Sequence, residues 1–233
     1  MARDFPGTAG NAFTAASAPF SIGTWTVAGW AYLDSAPASG CPCMVTHQYS
    51  ASHLPMVVGI ADGTNGTAGR WMTGHYRADI GWYGLSDTVA APTGVWTHIC
   101  GTEAGVATQF FRNGVNTNGG SFANAPAGTS FEFRVGRRWD SEGTAAAHLD
   151  GRMAHIGIWN VVLSAAEVAA LAAGVSPLRI RPSALVAYWP LWGNSSPEPD
   201  WAGGDQPLTM VGTVPASTQS PRVGAPLVTA ASL

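Results

Sequence analysis

From Trp25 to Leu33 the side chains alternate with period two: Trp25, Val27, Gly29, Ala31 and Leu33 fall on one side, Thr26, Ala28, Trp30 and Tyr32 on the other. Both sides are apolar enough to be covered, which predicts a central strand. Tyr76 to Tyr83 sets Tyr76, Ala78, Ile80 and Trp82 against Arg77, Asp79, Gly81 and Tyr83, the alternation of a half-buried strand. Trp96 to Cys100 and Val106 to Arg112 read as two more, and Asn113-Gly114 after them is a hairpin turn because both residues tolerate positive φ. Phe131 to Gly136 and Met153 to Trp159 add two strands, and Leu185 to Leu191 with Leu208 to Val214 a last pair. Turn residues recur every 8–12 positions or so, the spacing of an all-β sandwich.

One segment breaks the alternation. Leu163 to Gly174 predicts a short helix, with Ser164 as N-cap, Glu167 closing a capping box and Gly174 ending it in the left-handed region. Val168 and Leu171 give it one narrow apolar stripe, so it is a strap on the sandwich. The expected architecture is a single all-β domain over residues 1–214, with 185–214 completing the sandwich, followed by a Ser/Thr/Pro/Ala-rich tail or arm at 215–233.

Composition narrows the partners. Of 233 residues 46% are hydrophobic but only 11% charged, all eleven basic residues are arginine, and the net charge is −3. Without a basic cluster, nucleic acid and anionic membranes are excluded as partners. No run approaches a membrane span, and Met1 to Gly7 lacks the apolar region of a secretory signal, which implies synthesis in a cytoplasm. Cys41, Cys43 and Cys100 make an odd count and read as free thiols. A zinc site from Cys41, Cys43 and His47 would lack a fourth ligand and the usual spacing.

Three segments together resemble the laminin-G-like group of the concanavalin A-like jelly rolls. They are the aromatic-rich Phe20 to Leu33; Gly94-Val-Trp-Thr-His98 followed by Phe110-Phe-Arg-Asn-Gly114; and Leu149-Asp-Gly-Arg-Met-Ala-His-Ile-Gly-Ile-Trp-Asn160 running into the helix. Leu185-Val-Ala-Tyr-Trp-Pro-Leu191 with Leu208 to Thr213 is similar to the segment that commonly opens such domains, yet here it follows the helix, as in a circular permutation. The resemblance implies an antiparallel two-sheet jelly roll.

Catalysis is not expected. Glycosidases need paired carboxylates about 5–10 Å apart. None of Glu103, Glu132, Glu142, Glu167 or Glu198 begins the Glu-x-Asp-x-x-Glu strand that the resemblance would require of a retaining enzyme. No G-x-S-x-G elbow or H-E-x-x-H motif occurs. Calcium is the one cofactor to consider, at Asp62 and Asn65 or at Asp140 and Glu142, where the oxygen-rich loops also suit ordinary Asx turns. Candidate sugar-stacking aromatics are Trp30, Tyr32, Trp82 and Tyr83.

Two functions remain. The charge-poor surface favours a subunit of a large assembly, such as a decoration protein on a bacteriophage virion surface, oligomeric and bound to other subunits. The alternative is a free carbohydrate-binding, lectin-like module or, ranked last, a glycosidase-like enzyme.

Overall fold

The computed structural model describes residues 1–8, 11–15, 23–37, 41–47, 53–77, 79, 81–122, 133–138 and 148–224. Alternation becomes sheet as expected. The strands in chain order are β1 (Ala2–Pro6), β2 (Ala12–Ala15), β3 (Thr24–Leu33), β4 (Cys43–His47), β5 (His53–Ile60), β6 (Trp71–Arg77), β7 (Gly81–Ser86), β8 (Thr97–Ala104), β9 (Ala107–Arg112), β10 (Val115–Ser121), β11 (Phe133–Val135) and β12 (Asp150–Trp159). After helix α1 (Ala165–Ala172) come β13 (Leu185–Trp189), β14 (Thr209–Val211) and β15 (Ala216–Ser217).

They form two antiparallel sheets. One runs β10-β9-β8-β3-β12-β1-β15 with β13 also on β12; the other runs β14-β2-β11-β4-β5-β6-β7. Strand β3 lies between β8 and β12, in the central place its two apolar faces require. Trp25, Val27, Ala31 and Leu33 enter the core between the sheets beside Phe13, Trp71, Phe110, Phe133 and Trp189. On the outer face, Ala28 joins Cys100, Phe111, Trp159 and Tyr188 under Val168 and Leu171 of α1. The Ser164–Glu167 capping box is present, and Gly174 takes φ +93° just after the helix. Asn113 and Gly114 turn β9 into β10 with φ +51° and +81°.

Two expectations need correction. Tyr76 to Tyr83 is a hairpin, not one strand: Arg77 closes on Asp79, Gly81 adopts φ +88° where β7 begins, and Tyr76 lies opposite Trp82. The stretches Leu185 to Leu191 and Leu208 to Val214 do not pair as neighbouring strands, because β13 adds to β12 and β14 adds to β2 in the opposite sheet.

The amino-terminal strand ties the later elements down. Long β12 carries two neighbours end to end on one edge, β1 along Asp150 to Met153 and β13 along Ile156 to Trp159. Arg3 on β1 is 1% exposed; it donates to the carbonyls of Val214 and Ser195 and pairs with Glu198 at 2.9 Å. Beyond β15, the Gly224 N–H donates to Gly174 O at 3.0 Å. The three cysteines are buried and none is in a disulfide. Among the described residues, no helix is long and apolar enough to cross a membrane.

Candidate functional site

Strand β13 sends Ala187 and Trp189 into the inter-sheet core and Tyr188 to the outer face. Two turns of the backbone open a cleft beside that tyrosine. Against β3, the register of β12 slips by one residue between Ala154 and Gly157, and His155 takes φ +54° there. Such a bulge re-aims a side chain. It falls where β12 exchanges β1 for β13, and the His155 N–H donates to Pro190 O at 3.1 Å. Leu191, just past β13, takes φ +59°. Positive φ in a non-glycine residue costs on the order of 1–3 kcal/mol and gathers at functional sites.

The side chains that follow are held from behind by acids. Asp200 Oδ1 accepts the N–H groups of Tyr188 and Ala202, both at 2.9 Å, and its Oδ2 accepts that of Gln206 at 3.3 Å. Trp201 N–H then donates to Tyr188 O at 2.8 Å. Glu198 Oε1 accepts the Trp192 N–H at 2.8 Å while its other oxygen holds Arg3. The two indoles meet edge to face, with centroids 5.1 Å apart, and Trp192 also meets His155 at 5.8 Å. They remain 40% and 47% exposed.

His155 Nδ1 lies 2.7 Å from the Tyr188 hydroxyl, and the two rings stack. Burial pushes the imidazole down to about 4 and raises the phenol above its usual value, so both are neutral at pH 7. With Arg179 of the short 3-10 helix Pro177–Arg179 and Val223, these groups line a cleft of about 270 Å³. Behind it, Trp30, His98 and His155 border a void of about 10 Å³, the size of one water. Burial also pushes His98 down to about 3.

The aromatics singled out in the sequence do not converge. Half-buried Trp30 meets His98 edge to face at 5.2 Å and borders the void. Tyr32 packs on Trp96 and under the Arg152 guanidinium, 4.8 Å above its ring. Trp82 lies against Tyr76 on the outer face of the other sheet, over a cluster that includes Leu54 and Met72. Tyr83 faces the opposite way, between His75 and Phe122. Trp192 and Trp201, which strand alternation does not single out, carry a different signal: each interrupts a stretch of Gly, Pro, Ser and Asp that has no strand in which to bury an indole.

Of the calcium candidates, Asp62 Oδ1 accepts from the Thr64 N–H and hydroxyl, and its Oδ2 from Arg138 at 3.3 Å. Burial raises this carboxyl, but the Thr64 hydrogen bonds and Arg138 outweigh it and hold the carboxyl below its usual value. Asn65 Oδ1 accepts the Asp62 N–H, and its amide donates to Cys41 Sγ. Asp140 and Glu142 lie outside the described residues. Among the described residues, no group of three or more His, Cys, Asp or Glu side chains is placed to hold a metal.

Two antiparallel sheets packed face to face and strapped by one capped helix define the class, an all-β jelly roll. The chain belongs to the concanavalin A-like lectin/glucanases superfamily, whose laminin-G-type family model matches residues 6–169. It is similar in fold to a candidate carbohydrate binding protein from Bacteroides ovatus ATCC 8483, with TM-score 0.66 and 16% identity over 94% of this chain. The match spans 60% of that protein's length. It is also similar to the CBM40 of the Ruminococcus gnavus IT-sialidase, solved bound to α2,3 sialyllactose, with TM-score 0.54, 12% identity, 74% of this chain and 98% of that one. The native heptameric SAP-like pentraxin from Limulus polyphemus has TM-score 0.54, 14% identity, 73% of this chain and 81% of its own. No curated protein matches the sequence.

Proposed function

We propose that the chain is a non-catalytic carbohydrate-binding module that seats a sugar ring against Trp192 and Trp201. The observation that carries this reading is the indole pair itself, held by backbone hydrogen bonds yet 40% and 47% exposed. Large exposed apolar groups rimmed by polar ones mark binding surfaces, and concave sites of this kind are mostly apolar with a few convergent polar groups. Here the His155–Tyr188 pair and Ser176 supply the polar groups for sugar hydroxyls. Carbohydrate binding by proteins of similar fold supports the reading.

The cleft supports this reading over the assembly subunit that the charge-poor sequence favours. A module of this kind on a virion surface would satisfy both readings, with the charge-poor composition as its only support. The test is a glycan array followed by titration calorimetry on the wild type, Trp192→Ala and Trp201→Ala. The wild type is expected to bind a subset of glycans, and each substitution to weaken that binding at least tenfold. Binding that survives both substitutions overturns the reading.

A further inference from the structure

The charges around the cleft narrow its ligand further, on the reading that it binds a glycan. Among the described residues most arginines are matched: Arg3 by Glu198, Arg77 by Asp79, Arg112 by Asp87, Arg138 by Asp62, Arg152 by Asp34. Arg181, two residues past the cleft's own arginine, is engaged by Glu167 at 2.5 Å. Arg179 is exposed, lines the cleft and has no ion pair among the described residues.

Among the described residues, no carboxylate lines the cleft. The two nearest in sequence to the tryptophans are consumed behind the walls, Glu198 by Arg3 and the Trp192 N–H, Asp200 by three backbone N–H groups. His155 is held neutral by its burial and faces the Tyr188 hydroxyl. Among the described residues, Arg179 is therefore the one ionised side chain lining a cleft that otherwise presents apolar rings and neutral hydrogen-bonding groups. A guanidinium offers a planar fork of donors that matches a carboxylate in bidentate fashion, and such charge-assisted bonds are about twice as strong as neutral ones.

We infer that the cleft is selective for a pyranose bearing a carboxylate, whose ring stacks on Trp192 and Trp201 while its acid group pairs with Arg179. Uronic acids and sialic acids share this chemistry. Titration calorimetry with two matched pairs separates them: trigalacturonate against galactotriose, and sialyllactose against lactose. In at least one pair the acid should bind about tenfold or more tightly than its neutral counterpart, and added salt should weaken the acid alone. Arg179→Gln should abolish the preference, bringing the acid to the affinity of its neutral counterpart. Arg179→Lys should keep part of the preference.

Equal affinity within both pairs, or a preference that survives Arg179→Gln, overturns this inference and leaves the glycan reading standing. Binding by none of the four sugars also overturns it, and the array then decides the glycan reading separately. Acid binding unaffected by Trp192→Ala and Trp201→Ala overturns both. Arg179 is exposed, and an unchanged urea midpoint shows that its variants fold.

Discussion

Replacing Arg3 by methionine tests how the late part of the chain is fastened to the sandwich. The guanidinium of this β1 residue donates to the carbonyls of Val214 and Ser195, lies 2.9 Å from Glu198 Oε2 and sits 5.2 Å over the Phe13 ring. Both charged partners are 1% exposed. At an effective dielectric of about 20, two charges about 4 Å apart attract by roughly 4 kcal/mol. Removing one member of a buried pair typically costs about 3–5 kcal/mol, because the other charge stays buried without its partner. Against a total stability of about 5–15 kcal/mol this is a large fraction. Arg3→Met should therefore lose about 3–5 kcal/mol in urea unfolding followed by tryptophan fluorescence. Adding Glu198→Gln removes the stranded charge but keeps an acceptor for the Trp192 N–H, so the double variant should be more stable than Arg3→Met alone. The double-mutant cycle isolates that coupling. A loss below about 1 kcal/mol, or additive effects, would refute the clasp.

The remaining predictions concern protons and one hydroxyl. Burial lowers both His98 and His155, to about 3 and about 4, so stability should be intact above about pH 6.5 and fall as pH drops through that value towards the folded ones. For fully buried His98 the shift corresponds to the order of 5 kcal/mol, while burial raises Glu103 and Glu198, which oppose the loss by favouring protonation in the folded state. Denaturant curves between pH 4 and 7 should show a shallower slope in His98→Gln than in the wild type, and identical slopes would count against the assignment. Thr26 donates to Val161 O at 2.7 Å and accepts from the Leu163 N–H at 3.0 Å, joining β3 to the turn before α1. Thr26→Val keeps the shape and orphans both groups, at a cost of about 2–4 kcal/mol by the same urea assay; a neutral result would mean that the turn re-pairs them.

The fold was legible where one physical cause acts locally. Period-two alternation placed β3 and its two faces, Asn113-Gly114 placed a turn through its tolerance of positive φ, and Ser164 with Glu167 placed the start of α1. Tyr76 to Tyr83 misled because a hairpin that puts Tyr76 opposite Trp82 also reads as alternation, and only Gly81 distinguishes the two. The cleft was illegible for a different reason. Its floor depends on a bulge at His155 in the pairing of β12 with β3, at the point where β12 changes neighbours from β1 to β13, an arrangement of segments far apart in sequence. Its rings are set by Glu198 and Asp200, whose hydrogen bonds to backbone N–H groups leave no periodic trace. Alternation ranks aromatics by the strand they occupy, so it selected Trp30, Tyr32, Trp82 and Tyr83, which packing then covers in part with His98, Trp96, Tyr76 and Phe122. An aromatic that a strand buries is already used by the fold. The tryptophans left free for a ligand are those that no strand claims, which is why the turn-rich stretch from Pro190 to Pro207 holds the better candidates.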